Sequence, residues 1–298
     1  MIGLYFSGTG NTKFCIEKFL DDYDKTAPLV PLEKDNAAAF VAEACATEGA
    51  TSNRSRDSWA DQMAEACTAG DTTDMANSCA PRSAAAGSNA PDIVLAYPIY
   101  YSNLPKIVHD FICANPTLWH NKRIYLIATM GLFSGDGTGV AARLLKKYGA
   151  CIIGGLHVKM PDCICDVKAL KRTPDKNKQL VDAAVKQLTA AATQLKKGVP
   201  TTDGLGFPAH MAGLFGQRLW FCGKTRHYTD KLKIDARACI GCGKCISICP
   251  MHNLSLCGRT ASSQNRCTMC YRCVNQCPQK AITLLGKRVI AQHSMAEQ

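Results

Sequence analysis

Residues 239–250 read CIGCGKCISICP, and residues 267–278 read CTMCYRCVNQCP. Both stretches have the spacing CxxCxxCxxxCP. Three cysteines at intervals of three residues let a tight loop wrap one inorganic centre, and a fourth directly before proline is held in an extended backbone that leads the chain away. The repeated spacing predicts a small domain built around two [4Fe-4S] clusters.

The two runs are predicted to share their ligands. In two-cluster ferredoxins the fourth cysteine of each run binds the other cluster. We therefore predict two sets of metal ligands, which are Cys239, Cys242, Cys245 and Cys277 for the first cluster, and Cys267, Cys270, Cys273 and Cys249 for the second. The alternatives are two zinc sites, which favour separated CxxC pairs, or the disulfide framework of a secreted chain.

Length and composition agree with two domains. The chain has 298 residues, of which 47% are hydrophobic and 20% charged, enough for one large core and a small second domain. The first residues do not have the pattern of a signal peptide, and no apolar run reaches the roughly 18 residues of a membrane helix. Because iron-bound thiolates suit a reducing compartment, we expect a cytoplasmic protein of an anaerobic organism.

A glycine-rich loop follows the first apolar segment. Residues 2–6 read as a buried strand, residues 7–12 are SGTGNT, and residues 13–20 form an amphipathic stretch. Small residues at this position let backbone amides and the helix N-terminus surround a phosphate. The loop lacks both GxGxxG and the Lys-Ser/Thr ending of a nucleoside triphosphate loop, and such a turn can also merely close a strand–helix corner.

Two later loops have the same position in the predicted fold. The apolar segments 92–97 and 123–129 are followed by PIYYSNLP at 98–105 and by MGLFSGDG at 130–137. Since an open doubly wound sheet binds ligands at the carboxyl ends of its strands, the three loops are expected to meet. They would offer a phosphate site, an aromatic face and a glycine-rich edge.

Together these loops resemble the flavodoxin pattern, and the whole chain is similar to a family of flavodoxin–ferredoxin fusion proteins. The resemblance covers residues 1–35, 91–200 and 231–285. It implies FMN contacts in the three loops, at Ser7, Gly8, Thr9, Gly10, Asn11 and Thr12, at Pro98, Ile99, Tyr100, Tyr101, Ser102, Asn103 and Leu104, and at Thr129, Met130, Gly131, Leu132, Phe133, Ser134 and Gly135.

The predicted fold is α/β, a flavodoxin-like doubly wound parallel sheet of five strands in the order 2-1-3-4-5, with a small α+β two-cluster ferredoxin domain at the C-terminus. Segments 28–32 and 151–160 supply the second and fifth strands, and 174–197 forms a long amphipathic helix. The predicted limits are 1–197 for the FMN domain, 198–230 for a linker, 231–290 for the ferredoxin domain and 291–298 for a tail.

Residues 36–90 depart from the family pattern as a low-complexity insertion. They contain short helical segments at 37–46 and 58–67 but no run expected to pack a core. Cys45, Cys67 and Cys79 have no metal-ligand spacing. In the linker, the apolar residues around Phe207 and Trp220 are expected to pack between the domains, a flexible tether being the alternative.

Charge is concentrated at the ferredoxin end. Residues 231–290 contain ten Lys and Arg against Asp235 alone, which is +9 of the chain's +11. This excess favours an acidic redox partner protein, although the charges could equally serve only to balance two anionic clusters. A nucleic-acid partner is not favoured, because no recognition motif accompanies the charge.

These observations predict electron transfer between FMN and two [4Fe-4S] clusters, relayed to or from a partner protein. The alternatives are a reductase acting on a small substrate over the flavin and a redox sensor. The relay needs no catalytic residue. His109, a conceivable proton donor, and the Cys163–Cys165 pair, a conceivable redox thiol, are more simply read as packed or loop-lining residues.

Overall fold

The first domain is built on a parallel sheet. The computed structural model describes residues 1–47, 90–101, 103–132, 135–213, 215 and 231–290. Their five-stranded sheet has the order 2-1-3-4-5, which confirms the prediction. The strands are β1 (Ile2–Tyr5), β2 (Leu29–Pro31), β3 (Ile93–Pro98), β4 (Arg123–Met130) and β5 (Cys151–Lys159).

The central strands are apolar without interruption because helices cover both faces of the sheet. Along β3, Ile93, Leu95 and Tyr97 face one core, and Val94 and Ala96 face the other. The first core is closed by α3 (Lys106–Ala114), α4 (Pro116–Trp119) and α5 (Gly137–Lys146), and the second by α1 (Asn11–Tyr23) and α6 (Pro174–Lys196).

The start of the predicted insertion belongs to the fold. Helix α2 (Ala37–Thr47) buries Ala37 and Val41 in the first core, so the expectation that residues 36–90 pack no core is wrong for these two positions. Ala37 and Val41 have small or branched side chains that pack into the first core. The low-complexity composition of residues 36–90 does not indicate this packing. Cys67, Cys79, the helix predicted at 58–67 and the side chain of Cys45 lie outside the described residues.

The described part of the predicted linker packs beside β5. The hydroxyls of Thr201 and Tyr125 are 2.5 Å apart, and Thr202 pairs with Gly155. Helix α7 (Phe207–Gly213) then follows. Phe207 is 74% exposed, so the expectation that it packs between the domains is wrong. Residues 216–230, with Trp220, lie outside the described residues.

The second domain is a small α+β unit. Strand β6 (Lys233–Ile234) pairs with β9 (Ile282–Thr283), and β7 (Leu254–Cys257) pairs with β8 (Thr260–Ser263), both antiparallel. Two short helices, α8 (Lys244–Ser247) and α9 (Arg272–Gln276), follow the cysteine loops. Among the described residues of both domains, none of the helices combines the length and apolar character needed to cross a membrane.

Candidate functional site

One cavity of the second domain is surrounded by the first predicted ligand set. Its lining includes Cys239, Cys242, Cys245 and Cys277. The loop around it turns through Gly241 and Gly243, whose φ angles are 70° and 74°. These left-handed conformations favour glycine and let the backbone close around a small space. Cys242 is exposed at the mouth of this cavity.

A second cavity is surrounded by the other predicted set. Its lining includes Cys249, Cys267, Cys270 and Cys273. Cys270 and Cys273 are buried. Thr268 also lines this cavity, and its buried hydroxyl has no hydrogen-bond partner among the described residues. A buried orphan hydroxyl needs an acceptor, which a cluster sulfide would provide.

The donor chemistry of both cavities fits [4Fe-4S] clusters. Each cavity collects three cysteines of one run and the fourth of the other, the grouping that crossed ligation requires. Backbone amides already donate to cysteine sulfurs, with Asn253 N 3.3 Å from Cys249 Sγ and Ala281 N 3.4 Å from Cys277 Sγ. Among the described residues, no three His, Cys, Asp or Glu side chains are grouped closely enough to hold a metal ion by themselves.

The glycine-rich loop of the first domain has the features of an anion site. Ser7, Thr9, Asn11 and Thr12 are all buried although they are polar. The Gly10 amide donates to Ser7 Oγ at 3.1 Å, and Gly10 has a φ of 91°, which turns the chain into α1. The first amides of a helix have no intrahelical acceptor, so these residues fit a phosphate group.

Neighbouring strands hold this loop in place. The hydroxyls of Thr12 and Thr129 are 2.7 Å apart, which joins the first predicted loop to the third. Asn11 Nδ2 donates to Pro161 O at 2.7 Å, whereas Asn11 Oδ1 is buried without a hydrogen-bond partner among the described residues. The loop is therefore held by hydrogen bonds on both sides, and Asn11 Oδ1 can still accept a hydrogen bond.

The second predicted loop reaches the first through Tyr100. A Cβ placed on Gly8 would lie 2.7 Å from the Tyr100 hydroxyl, so that hydroxyl stands directly over the glycine. Burial raises the pKa of Tyr100 well above its ordinary value, and nearby Cys163 and Cys270 raise it further. Ile99 packs against the first core. Of the remaining predicted contacts, Pro98, Tyr101, Asn103 and Leu104 are described, and Ser102 lies outside the described residues.

The third predicted loop is contacted by residues that follow β5, a strand at the edge of the sheet. A Cβ on Gly131 would lie 2.7 Å from Asp162 Oδ2, and Gly131 O accepts from Arg172 at 2.9 Å. Burial raises the pKa of Asp162. Met130 is buried and Leu132 is 59% exposed. Gly135 packs against α7, and Phe133 and Ser134 lie outside the described residues.

The second cysteine run packs directly on the glycine-rich loop. A Cβ on Gly8 would lie 2.3 Å from Cys270 O, so only glycine allows this approach. Arg272 donates to Ser7 O at 2.7 Å and to Gly8 O at 3.3 Å. The same guanidinium pairs with Glu33 Oε1 at 2.8 Å. A predicted cluster ligand and a predicted phosphate loop are thus in contact.

A buried carboxylate forms a further link between the domains. Asp166 accepts from the Tyr271 hydroxyl at 2.9 Å and from the amides of Leu284 and Leu285 at 2.7 and 3.0 Å. A Cβ on Gly286 would lie only 1.7 Å from Asp166 O. Sequence reasoning missed Asp166, Glu33 and the role of Arg272, because no motif marks a residue whose partner is more than 100 positions away.

The other candidates have structural roles. Cys163 O accepts from Asn275 and Cys165 O from Ile290, so the loop with the Cys163–Cys165 pair contacts the second domain through its backbone. His109 lies on α3 with its side chain 54% exposed, and it contacts Asp110 and Cys113. It is not among the residues that meet at Gly8.

Comparison with known proteins supports the two-domain description. Residues 231–278 match the family model of the 4Fe-4S dicluster domain. The chain joins a flavodoxin-like domain to a 4Fe-4S dicluster domain. The first part of this statement rests on the strand order 2-1-3-4-5, which is that of flavodoxin-like sheets. A search of curated protein sequences found no match to the chain.

Solved structures with a similar fold include flavoproteins. Two-electron reduced flavodoxin of Megasphaera elsdenii is 18% identical, with 62% of this chain and 99% of that chain covered and a TM-score of 0.34. The Trp repressor binding protein of Bacillus subtilis is 15% identical, with 65% and 98% covered and a TM-score of 0.33. The flavodiiron protein of Giardia intestinalis is 14% identical, with 67% and 37% covered and a TM-score of 0.30.

The comparisons and the topology together describe a 4Fe-4S dicluster region after a sheet of flavodoxin-like strand order. The dicluster match accounts for the cysteine runs, and the flavodoxin-like sheet accounts for the three loops at its carboxyl edge.

Proposed function

We propose that the chain relays electrons between FMN, held by the three loops of the first domain, and two [4Fe-4S] clusters that pass them to or from a partner protein. The observation that carries this proposal is the contact of Cys270 with Gly8 and, through Gly8, with Tyr100. When bound, FMN supplies one- and two-electron chemistry and each cluster supplies one-electron chemistry. No side chain has to act as an acid, a base or a nucleophile.

In this proposal the first domain binds and orients the flavin. Ser7, Thr9 and Thr12 would hold its phosphate together with the first amides of α1. Tyr100 would border the ring and keep water away from it. The link between Thr12 and Thr129 keeps the phosphate loop at a constant distance from the third loop.

The second domain would hold the clusters at unequal distances from that site. Cys249, Cys267, Cys270 and Cys273 surround the cavity whose wall touches Gly8. The other four cysteines surround a cavity that includes the exposed Cys242. Arg272 fixes the spacing because one guanidinium joins two loop carbonyls and Glu33. This arrangement supports a series of flavin, second cluster and first cluster.

A relay is favoured over a reductase by the contact between the second cysteine run and the glycine-rich loop. Cys270 O lies close to Gly8, so the second cluster would stand next to the flavin domain, as a relay requires. The cysteine thiols assigned to the clusters also suit a reducing cytoplasm, and we keep this location as part of the proposal.

Purification without oxygen, followed by iron, sulfide and flavin analysis, tests the proposal. We expect about eight iron and eight sulfide per chain with about one FMN, as two [4Fe-4S] clusters and one flavin require. A stepwise reductive titration followed by visible spectra should show electrons equilibrating among all centres. Clusters without flavin would contradict the relay.

A matched pair of variants separates the two cofactor sites. Thr12→Val removes the buried hydroxyl that contacts Thr129, and we expect it to lose flavin while iron and sulfide remain. Thr117→Val makes the same chemical change at an exposed position of α4 and should keep both. Equal flavin content in the two variants would contradict the assigned phosphate loop.

A further inference from the structure

The two cysteine loops have opposite surroundings. The second loop is buried against the first domain through Cys270 and Tyr271. The first loop has an open side, where Ile240 is 55% exposed and Leu256 is 48% exposed. Both of these apolar side chains line the cavity of Cys239 and Cys242. The chain therefore presents an apolar surface directly beside one predicted cluster.

Four cations lie on or next to the segments that form this cavity. Lys244 lines the cavity, and Arg259 O lies 2.7 Å from where a Cβ on Gly241 would be. Arg237 precedes Cys239 by two residues, and Lys280 follows Pro278, which lines the cavity, by two residues. All four cationic side chains are exposed.

None of the four has an ion-pair partner among the described residues, in contrast to Arg272 with Glu33. The nearest acid in sequence is Asp235, whose carboxylate accepts the backbone amide of Arg237 at 2.9 Å. The charge of this face is therefore available to an external anion. An anionic cluster lowers the local charge by about two, which leaves a positive rim.

We infer that the exit face, defined as Ile240 and Leu256 with Arg237, Lys244, Arg259 and Lys280, is the docking surface for an acidic redox protein. An apolar centre inside a charged rim is the composition of protein interfaces, and complementary charge raises the rate of encounter. With a reduced cluster held by Cys239, Cys242, Cys245 and Cys277, one electron would pass across this face and reduce the partner by one electron, and no atom would be transferred. The inference rests on the proposed function, since it needs the first cluster in its cavity.

The first test uses two variants with equal changes in charge. Lys244→Glu with Arg259→Glu reverses two charges on the exit face. Lys146→Glu with Lys147→Glu reverses two exposed charges at the C-terminal end of α5. This end of α5 precedes the start of β5, so it lies at the amino ends of the strands, whereas the three loops lie at the carboxyl ends. Iron, sulfide and flavin content is measured first in both, so that failure of the proposed function is recognised separately.

The reduced proteins are then mixed in a stopped-flow instrument with small one-electron oxidants of opposite charge. With the anion Co(EDTA)⁻ we expect oxidation of the exit-face variant to be about tenfold slower than that of the wild type at low salt. With the cation Ru(NH₃)₆³⁺ the change should be reversed. The α5 variant should stay within about twofold for both, and high salt should remove the differences.

A second measurement does not depend on the rate of oxidation. Chromium(III) trioxalate, a paramagnetic trianion, should enhance the relaxation of the reduced cluster's EPR signal in the wild type and the α5 variant. This enhancement should be several-fold weaker in the exit-face variant. Equal effects in both variants, in either experiment, would overturn the inference while leaving the cofactor analysis intact.

The same variants distinguish a nucleic-acid partner. A random double-stranded oligonucleotide should not compete with the trianion at physiological salt if the face serves a redox protein. Tight binding of that oligonucleotide, lost in the exit-face variant alone, would assign the charge to nucleic acid and overturn the inference.

Discussion

The two cysteine loops have left-handed backbone at the same two positions but different residues there. Gly241 and Gly243 have φ angles of 70° and 74°, and Met269 and Tyr271 in the second loop both have 59°. A left-handed conformation costs a residue other than glycine roughly 1–2 kcal/mol. The second loop has this conformation at two residues other than glycine, so its side chains are expected to make stabilising contacts that glycine cannot make.

That contribution is the contact with the first domain. Tyr271 donates to Asp166, and Arg272 binds two carbonyls of the glycine-rich loop and Glu33. Arg272 corresponds in the repeat to Lys244, which is exposed. A planar guanidinium can donate to several acceptors at once, whereas an ammonium is a strongly hydrated point charge. The two halves of the repeat therefore differ, because the second is anchored to the first domain and the first is open.

The largest expected effect comes from the shared ligands. Cys277→Ser should remove the first cluster and reduce iron from about eight to about four per chain, because Cys277 completes the set of the other run. Alkylation should then label Cys239, Cys242 and Cys245 but spare the second run. Cys257→Ser, at an exposed cysteine outside both sets, should keep all the iron. Labelling of Cys267, Cys270 and Cys273 instead would contradict crossed ligation.

The next effect compares the two basic residues of the repeat. Arg272→Ala leaves Glu33 partly buried without its cation, and we expect the free energy of unfolding to fall by roughly 3 kcal/mol. Lys244→Ala should change it by less than about 0.5 kcal/mol, as an exposed position allows. Denaturant unfolding measures both, and hydrogen exchange at residues 7–12 should increase only in the first variant. Equal losses of unfolding free energy in the two variants would show that the two halves of the repeat do not differ in this way.

A smaller effect is expected at Asp166. Asp166→Ala leaves one hydroxyl and two amides without an acceptor, which should cost roughly 2 kcal/mol. Asp166→Asn keeps one carbonyl oxygen and should cost about half as much. Thermal unfolding of the holoprotein gives the comparison. If alanine is tolerated as well as asparagine, the carboxylate does not hold the domains together.

The smallest effect separates the two glycines of the open loop. Gly243→Ala meets no atom within 4 Å, so its cost should be the backbone term of about 1 kcal/mol. Gly241→Ala has the same strain and would also bring Cβ to 2.7 Å from Arg259 O, so it should cost more. Unfolding of the two variants side by side checks the order, and the reverse order would contradict this description of the loop.

Local patterns predicted the sheet well, for a physical reason. Parallel strands buried on both faces have to be continuous apolar runs, and short loops at their carboxyl ends have to meet. The order 2-1-3-4-5 follows the prediction, and the strand ends agree with it to within one residue. The FMN contacts and cluster ligands remain predictions, although each cluster set lines a single cavity.

The fold of each domain could be predicted from local sequence, because strands, turns and cysteine loops depend on neighbours within a few residues. Contacts between residues far apart in the chain set which cysteine run lies against the first domain and which stays open. That choice depends on Arg272 meeting Ser7 and Glu33, and on Asp166 meeting Tyr271. These pairs are separated by 105 to 265 positions, and such contacts leave no periodic trace in the sequence.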